Sequence, residues 1–363
     1  MKELFDHVFE LKPYTALDYD FVDRFHRKNP LDPGGHCTAA ARVTESGQTL
    51  VGRNMDLNIS HKPAFVIRTQ VPGDYETIGL SYYFKIIPDY KDIRQNGLSE
   101  DIQKLLPFLC TDVLNSEGLY IETNMRSGEV FPDGSSKFGC TGTNPDAALS
   151  VSAGCLPRYL IERCATVDEA LAYAKELNLY TAQNNPAAWN FCFLMADASG
   201  HHGVLEVAAN GLYWHENAPA QTNFYLEPEL YAREELRCGL GRYEKVTKEL
   251  PNVQNEDDMF ALIRSVSYFQ IYSPDRCRFD WRSEFAGLDD FYSFSELTDD
   301  TRREEIQAAV VSRFGYIPTL PREKVMDMNA CWESTFTEVI NCNEKTLMVR
   351  FFEDDTKTIR LSF

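Results

Sequence analysis

Positive charge is scarce in this 363-residue sequence, where 36 lysines and arginines are outnumbered by 55 aspartates and glutamates. The net charge of −19 argues against a nucleic-acid ligand, because a phosphate backbone requires a basic surface. The same charge disfavours an anionic membrane surface. The acidic excess favours solubility and carries no information about the fold.

Long apolar runs are also missing. No segment approaches the roughly 20 apolar residues that a membrane-spanning helix needs. The opening residues, MKELFDHVFELKPYTALDYDF, are charged throughout and lack the apolar region of a secretory signal. These absences predict a cytoplasmic protein with no membrane partner.

Metal-binding spacings are absent as well. The 10 cysteines include no Cys-x-x-Cys pair, and the 7 histidines form no ligand spacing with them. Without a secretory signal, most cysteines are expected to be reduced core thiols. We therefore predict no metal and no organic cofactor. The sequence leaves the oligomeric state open, a homo-oligomer included.

The clearest boundary is a run of structure-breaking residues before Cys37. Residues 1–28 are predicted to be helical or irregular, and Asn29-Pro30 and Asp32-Pro33-Gly34-Gly35 follow them. Beyond this loop, alternating apolar residues and turn signals predict strands. These segments are residues 37–55, 64–71, 75–84, 118–125, 191–217 and a final hairpin over 345–363.

Helices are predicted between and after these groups of strands. One helix lies in residues 152–164, with Pro157 in its first turn. Thr166 and Glu169 form a capping box for a second helix that ends near Leu177. Residues 231–250 form an amphipathic stretch. Clustered hairpins and segregated helices favour an α+β arrangement of layers over alternating βαβ units.

Cys37 opens the first predicted hairpin and is a candidate nucleophile. An ordinary thiol has a pKa of about 8.5 and needs activation near neutral pH. His36 is poorly placed for this, because neighbouring residues on a strand point to opposite faces. If the chain is cut between His36 and Cys37, the new α-amino group can act as the base for its own thiol. The flexible Asp-Pro-Gly-Gly-His loop would let Cys37 attack the preceding carbonyl, so that the cut is made by the chain itself.

The second arm of this hairpin ends in Gly-Arg-Asn-Met-Asp, which places Arg53 and Asp56 near Cys37. Arg53 lies on the opposite arm and is expected to meet the thiol across a shared face, where a guanidinium stabilises a thiolate. Asp56 is expected to hold the α-ammonium group. Residue spacing alone leaves open a small core cysteine and a turn with a surface salt bridge.

The segment CTAAARVTESGQTLVGRNMD resembles the start of the mature chain in the choloylglycine hydrolase family. This family includes conjugated bile salt hydrolases and penicillin V acylases, which are cysteine N-terminal nucleophile hydrolases. The resemblance covers nearly everything from Cys37 to Phe363. Its further segments, in order, are NSEGLYIETNM, LPRYLIERCATVDEALAYAKEL, FLMADASGHHGVLEVAANGLYWHEN, QTNFYLEPEL and GLGRYEKV.

The resemblance implies an α+β fold, the four-layer αββα sandwich of N-terminal nucleophile hydrolases. Residues 1–36 would form a prosegment that is removed by self-cleavage, and residues 37–363 one hydrolase domain. The reaction would be hydrolysis of a linear, non-peptide amide through an acyl-thioester on Cys37. The partner would be a small-molecule amide with an apolar acyl group, and Tyr82, Tyr83 and Phe84 are candidates to line its pocket.

The resemblance also assigns roles to particular residues. Cys37 would be the nucleophile, with Arg53 and Asp56 as its partners. Asn124 and Asn223 would donate to the oxyanion, and such a donor is worth roughly 3 kcal/mol. Arg242 would support the site. From the residues alone, either asparagine could instead end a strand or cap a turn, and the arginine could be a solvated helix charge.

Two features separate the chain from typical bile salt hydrolases. A long segment precedes Cys37, and the interval from Asn223 to Arg242 is short, as in acyltransferase-type and ceramidase-like relatives. Both disfavour bile salts as the substrate. Two other functions stay open: an acyltransferase that passes the acyl group to an amine, and a non-catalytic chain that is never processed.

Overall fold

A computed structural model describes most of the chain, and all structural statements below concern the described residues. They are residues 1–5, 8–28, 36–57, 63–81, 87–88, 90–126, 142–180, 190–208, 211–228, 239–266, 270–271, 278–279, 333–351 and 357–363. Tyr82, Tyr83 and Phe84, which the sequence suggests as pocket residues, lie outside them.

A nine-stranded sheet forms one half of the molecule. With strands numbered along the chain, its spatial order is β1 (Lys2–Phe5), β2 (Val8–Glu10), β5 (Ala64–Thr69), β6 (Thr77–Ser81), β7 (Cys110–Asn115), β8 (Tyr120–Arg126), β11 (Asn190–Ala196), β12 (His202–Ala208) and β13 (Gly211–Glu216). Apart from the parallel pairing of β2 with β5, neighbouring strands in it are antiparallel.

A six-stranded antiparallel sheet carries Cys37. Its order is β14 (Ala220–Gln221), β3 (His36–Val43), β4 (Thr49–Leu57), β17 (Glu333–Asn341), β18 (Thr346–Phe351) and β19 (Ile359–Leu361). Two small pairs complete the strands: β9 (Ser150–Ser152) with β10 (Asn178–Tyr180), and β15 (Gln270–Ile271) with β16 (Arg278–Phe279).

The described helices are α1 (Tyr19–Lys28), α2 (Tyr90–Asn96), α3 (Glu100–Leu105), α4 (Leu156–Ile161), α5 (Val167–Glu176), α6 (Leu240–Glu249) and α7 (Glu256–Arg264). Pro157 lies in the first turn of α4, as predicted, but α4 is shorter than the predicted helix. Thr166 caps α5 as predicted, since its hydroxyl accepts from the Glu169 amide at 3.2 Å. None of the described helices is long and apolar enough to cross a membrane.

Three apolar cores stack these elements into four layers. An outer core joins α1, α4 and α5 to the nine-stranded sheet, with Phe65 and Phe193 fully buried in it. A middle core, which contains Cys37, lies between the two sheets. A third core joins the six-stranded sheet to α6 and α7. The predicted α+β fold and its αββα layering are confirmed.

The N-terminal residues are part of this architecture. β2 pairs with β5 through Val8 and Ala64, and Val22 of α1 is buried in the outer core. The prediction of helical or irregular structure is wrong for β1 and β2. These strands form because β2 pairs with a segment more than fifty residues away, and no local pattern signals such a pairing. Removal of residues 1–36 by self-cleavage stays a prediction.

Candidate active site

Cys37 lies near the start of β3, where the hairpin with β4 holds it between the two sheets. It stands opposite Met55, and Ala39 stands opposite Arg53. Side chains alternate between the faces of a strand, so Cys37, Met55 and Arg53 share the face that points to the other sheet. The residue is only 3% exposed.

Arg53 contacts the sulfur directly. Its Nη2 atom lies 3.5 Å from Cys37 Sγ and donates to the carbonyl of Thr123 on β8 at 2.9 Å. The expected meeting of Cys37 and Arg53 across the hairpin is therefore present. Because Thr123 belongs to the other sheet, the guanidinium also bridges the two sheets at the sulfur.

Two carboxyl groups of the nine-stranded sheet also bind the Arg53 guanidinium. Nη1 lies 2.5 Å from Asp112 Oδ2, and Nε donates to Glu122 Oε2 at 2.9 Å. Asp112 on β7 and Glu122 on β8 are register partners, and all three side chains are fully buried. Buried ion pairs of this kind fix geometry, because removal of one partner leaves an uncompensated charge.

Burial dominates the titration of Cys37. Loss of hydration raises the pKa of the Cys37 thiol to about 12; Arg53 opposes this rise, and Asp56, Glu122 and Asp112 add to it. With its peptide bond to His36 intact, Cys37 is therefore a neutral thiol near neutral pH. Arg53 alone does not generate a thiolate, so an additional base is required.

Asn223 and Arg242 hold the backbone of the same residue. The Cys37 amide donates to Asn223 Oδ1 at 3.0 Å, and Arg242 Nη1 donates to the Cys37 carbonyl at 2.9 Å. Arg242 Nη2 also donates to Asn223 Oδ1 at 2.9 Å. The nitrogen, the carbonyl oxygen and the sulfur of Cys37 are thus each bound by a different polar side chain.

Asp56 lies on the opposite face of β4 from Arg53. It stands opposite His36 in the hairpin, and its Oδ2 atom is 3.2 Å from Arg242 Nη1. The same Nη1 atom donates to Thr38 Oγ1 at 2.5 Å. Asp56 is therefore an ionic partner of Arg242, directly beside the bond that joins His36 to Cys37.

Gly239 allows Arg242 to reach this position. It precedes α6 with a left-handed φ of +81°, and its carbonyl accepts from Thr222 Oγ1 at 3.1 Å. A Cβ atom there would lie 2.7 Å from Arg242 Nη2 and 2.9 Å from Thr222 Cβ. Only glycine fits this contact, and it ties the start of α6 to the segment that carries Asn223.

Asn124 lies on β8, one residue beyond Thr123. By strand alternation its side chain leaves the same face as Tyr120 and Glu122, toward the core that contains Cys37. The residue is fully buried, and neither Oδ1 nor Nδ2 of its amide has a hydrogen-bond partner among the described residues. Buried amides are normally paired, so this one is suited to a partner that arrives with the substrate.

Sequence reasoning missed Asp112, Glu122, Gln221 and Thr38. The sequence does contain a signal for Asp112 and Glu122, because each is an acidic residue within an apolar strand, at a position that faces a core. Such residues are rarely buried unless they are paired. No group of three or more His, Cys, Asp or Glu residues in the described part of the chain is arranged to hold a metal ion.

Comparison with known proteins gives a family match over the middle of the chain. Residues 107–280 match the family model described as acyl-coenzyme A:6-aminopenicillanic acid acyl-transferase. The predicted resemblance to the choloylglycine hydrolase family, which includes penicillin V acylases, is confirmed by this match. It begins just before β7 and includes Asn124, Asn223 and Arg242. No curated protein matches the chain in sequence.

Solved structures give weaker likenesses. A variant of the conjugated bile acid hydrolase from Clostridium perfringens is 12% identical, with 90% of this chain and 92% of that chain covered and a TM-score of 0.47. Penicillin V acylase from Agrobacterium tumefaciens is 13% identical, with 90% and 86% covered and a TM-score of 0.46. The αββα architecture follows from the strand pairing and the apolar cores of this chain, without these two structures.

Proposed function

We propose that this chain is an N-terminal cysteine hydrolase that cleaves a linear, non-peptide amide. The observation that carries the proposal is the arrangement around Cys37. Asn223 accepts from its nitrogen, Arg242 donates to its carbonyl and Arg53 contacts its sulfur. A core cysteine needs no polar partners for its backbone beyond the sheet, whereas an N-terminal nucleophile requires its amine to be held beside its sulfur.

The first step would be self-cleavage between His36 and Cys37. The Cys37 sulfur attacks the His36 carbonyl carbon, the carbon–nitrogen bond breaks, and the acyl group moves to sulfur while the nitrogen takes the thiol proton and becomes the free α-amine of Cys37. Water then hydrolyses the thioester, which releases a carboxylate on His36 and restores the Cys37 thiol. Because the buried thiol is neutral before this step, we expect one slow turnover.

In the mature enzyme, the amine removes the thiol proton and the sulfur attacks the carbonyl carbon of the amide substrate. Asn223 and Asn124 would donate to the oxyanion of the tetrahedral intermediate, a role supported by the unpaired amide of Asn124. The ammonium group of Cys37 then protonates the leaving amine. Water hydrolyses the acyl-thioester and restores the thiol.

The test is a screen of wild type and Cys37→Ala over amides of different acyl and amine groups. Penicillin V, conjugated bile salts and N-acyl amines cover the relevant classes. We expect turnover of an amide with an apolar acyl group by wild type and none by the variant. Turnover by both would contradict the proposal, as would a wild-type chain that stays unprocessed and inactive on all of them.

The second candidate is acyl transfer, in which an amine rather than water takes the acyl group from sulfur. The family match favours it, because the matched family is described as an acyl-transferase. The two functions are separated by adding a competing amine, such as 6-aminopenicillanic acid, to the reaction. A transferase forms the new amide as its main product, whereas a hydrolase continues to release the free acid.

A further inference from the structure

Three buried carboxyl groups surround Arg53 and form what we call the carboxyl cluster: Asp112, Glu122 and Glu338. Glu338 lies directly opposite Arg53, on β17 of the same sheet, while the other two come from the facing sheet. All three residues are fully buried. One guanidinium therefore faces more carboxyl groups than its single charge can balance, and the protonation states within the cluster are coupled.

Glu338 is held in the carboxyl cluster by Tyr120. The Tyr120 hydroxyl donates to its Oε1 atom at 2.7 Å and lies 3.2 Å from Asp112 Oδ1. Burial, with the negative charge of Asp112 nearby, holds the pKa of Glu338 well above its ordinary value. Both effects favour the protonated form of Glu338.

Glu122 connects both sides of the site. Its Oε2 atom accepts from Arg53 Nε at 2.9 Å, and its Oε1 atom accepts from the Gln221 amide. Gln221 lies on β14, beside β3, two residues before Asn223. One carboxyl group thus joins the arginine at the sulfur to the segment that carries the proposed oxyanion donor.

We propose that Glu122 is a positioning residue that acts on Cys37 through Arg53 and sets how much of the Arg53 charge is left for the sulfur. The inference rests on the proposed role of Cys37 as nucleophile. When Glu122 is ionised, Arg53 is shared by two carboxylates and supports a thiolate weakly. When Glu122 is neutral, Asp112 alone pairs with Arg53, and more of the positive charge acts on the sulfur.

The charge of Glu122 is expected to change at a pH close to neutral. Burial raises the pKa of Glu122 to about 8; Arg53 opposes the rise, and Asp112 adds to it. Below that pH Glu122 is neutral, and above it Glu122 is an anion. The other titratable groups near it are Tyr120 on its own strand and Cys37 on β3, while Glu338 on β17 lies opposite Arg53. Burial raises the pKa of Tyr120 and that of Glu338 well above their ordinary values.

The substitution Glu122→Gln removes the charge and keeps the shape. Its oxygen can still accept from Arg53, and its new amide can donate to Gln221 Oε1, which has no hydrogen-bond partner among the described residues. Glu338→Gln is the matched control, since it removes another buried carboxyl group of the same cluster, one whose pKa burial holds well above its ordinary value.

The experiment measures the rate at which iodoacetamide alkylates Cys37 in the processed protein, read by peptide mass spectrometry at several pH values. At about pH 6 we expect similar rates for wild type and Glu122→Gln, whereas at about pH 9 the variant should react about tenfold faster. Glu338→Gln should show no such change with pH. Alkylation of the buried Cys110 in the same samples reports any general opening of the fold.

If the alkylation rate of Glu122→Gln divided by that of wild type is the same at every pH, the inference is overturned. A purely structural role of Glu122 would change the rate by a constant factor. An equal rise with pH in Glu338→Gln would overturn it too. The readout needs no amide substrate. A protein whose alkylation rates show the expected pH dependence but that has no amidase activity would refute the proposed function and support this inference. An active amidase in which the ratio of the two rates does not change with pH would support the proposed function and refute this inference.

Discussion

Asn223 accepts a hydrogen bond from the backbone nitrogen of Cys37 at 3.0 Å, across 186 positions of the sequence. This nitrogen becomes the α-amine if the bond to His36 is cut. Arg242 donates to the same Asn223 oxygen, so the amide orientation is fixed, with oxygen toward the nitrogen of Cys37. The NH₂ half of the amide is therefore the half that would meet an oxyanion.

Asn223→Asp tests this orientation, because it keeps the accepting oxygen and removes the donor. We expect kcat to fall by about 100-fold or more, the usual loss for one oxyanion donor, while the protein still folds. Steady-state kinetics on the best amide substrate measure it.

Asn115→Asp is the matched control. The Asn115 amide donates to the carbonyls of Ile161 and Cys164, so this change should lower the melting temperature and leave kcat nearly unchanged. Equal loss of kcat in both variants would mean that Asn223 acts only through the stability of the fold.

Arg53→Met should destabilise the protein strongly, because the buried Asp112 carboxylate would lose its counter-charge and the buried Glu122 carboxyl group its hydrogen-bond donor. We expect the free energy of unfolding to fall by about 3–5 kcal/mol in urea titrations. Arg360→Met removes an arginine from an exposed pair with Glu344 and should cost less than about 1 kcal/mol. Similar losses in the two variants would contradict the buried network described here.

The N-terminal segment should stay bound after cleavage. Phe9 and Val22 of this segment are buried. Two hydrogen bonds join the segment to the rest of the chain: the Tyr19 hydroxyl donates to Glu162 at 2.6 Å, and the Tyr180 hydroxyl donates to Asp23 at 3.0 Å. We expect the two pieces to elute together in native gel filtration and to separate in denaturing mass spectrometry. Release of the segment from a body that stays folded and active would count against this expectation.

His26 on α1 should make the fold sensitive to acid. It is buried, neither imidazole nitrogen has a hydrogen-bond partner among the described residues, and burial lowers its pKa to about 4 against the opposing effect of Asp23. Between about pH 6.5 and 4 the unfolded chain binds a proton that the folded one does not. Stability therefore falls as the pH falls, by about 3 kcal/mol across this window.

His26→Leu should remove that part of the pH dependence. Urea titrations of wild type and variant at a series of pH values measure the difference between them. The two curves should diverge below about pH 6.5, with the variant more stable in acid. Parallel curves throughout would show that His26 is hydrated or paired in solution.

The site was predictable from sequence where it is local. Cys37 and Arg53 share one hairpin, and strand alternation with a short turn places them on one face. Asn223 and Arg242 came from the family resemblance, because nothing in their spacing shows that β14 and α6 pack beside β3. The sequence does not predict β7, so the strand that carries Asp112 is missed. Glu122 lies on the predicted β8, but no local pattern shows that its partner is an arginine on the facing sheet.

The fold shows the same division. Local alternation and turn residues predict β3, β4, β5, β6, β8, β11, β12, β13, β18 and β19, whereas they do not predict β17, the neighbour of β4. The sequence also fails to predict β2, which pairs with the distant β5, and the edge strand β1, which pairs with β2. Sequence patterns show which face of a helix or strand is apolar. They do not show which distant strands pair, because this pairing depends on the packing of the complete fold.

The central claim is that the amine of Cys37, once free, activates the sulfur of Cys37. Intact mass and N-terminal sequencing of the catalytically active fraction test it most directly, beside Cys37→Ala. The account predicts that active wild-type protein contains a chain that begins at Cys37, and that the variant keeps its full 41.5 kDa and has no activity. A fully active preparation in which Cys37 is still joined to His36 would contradict it.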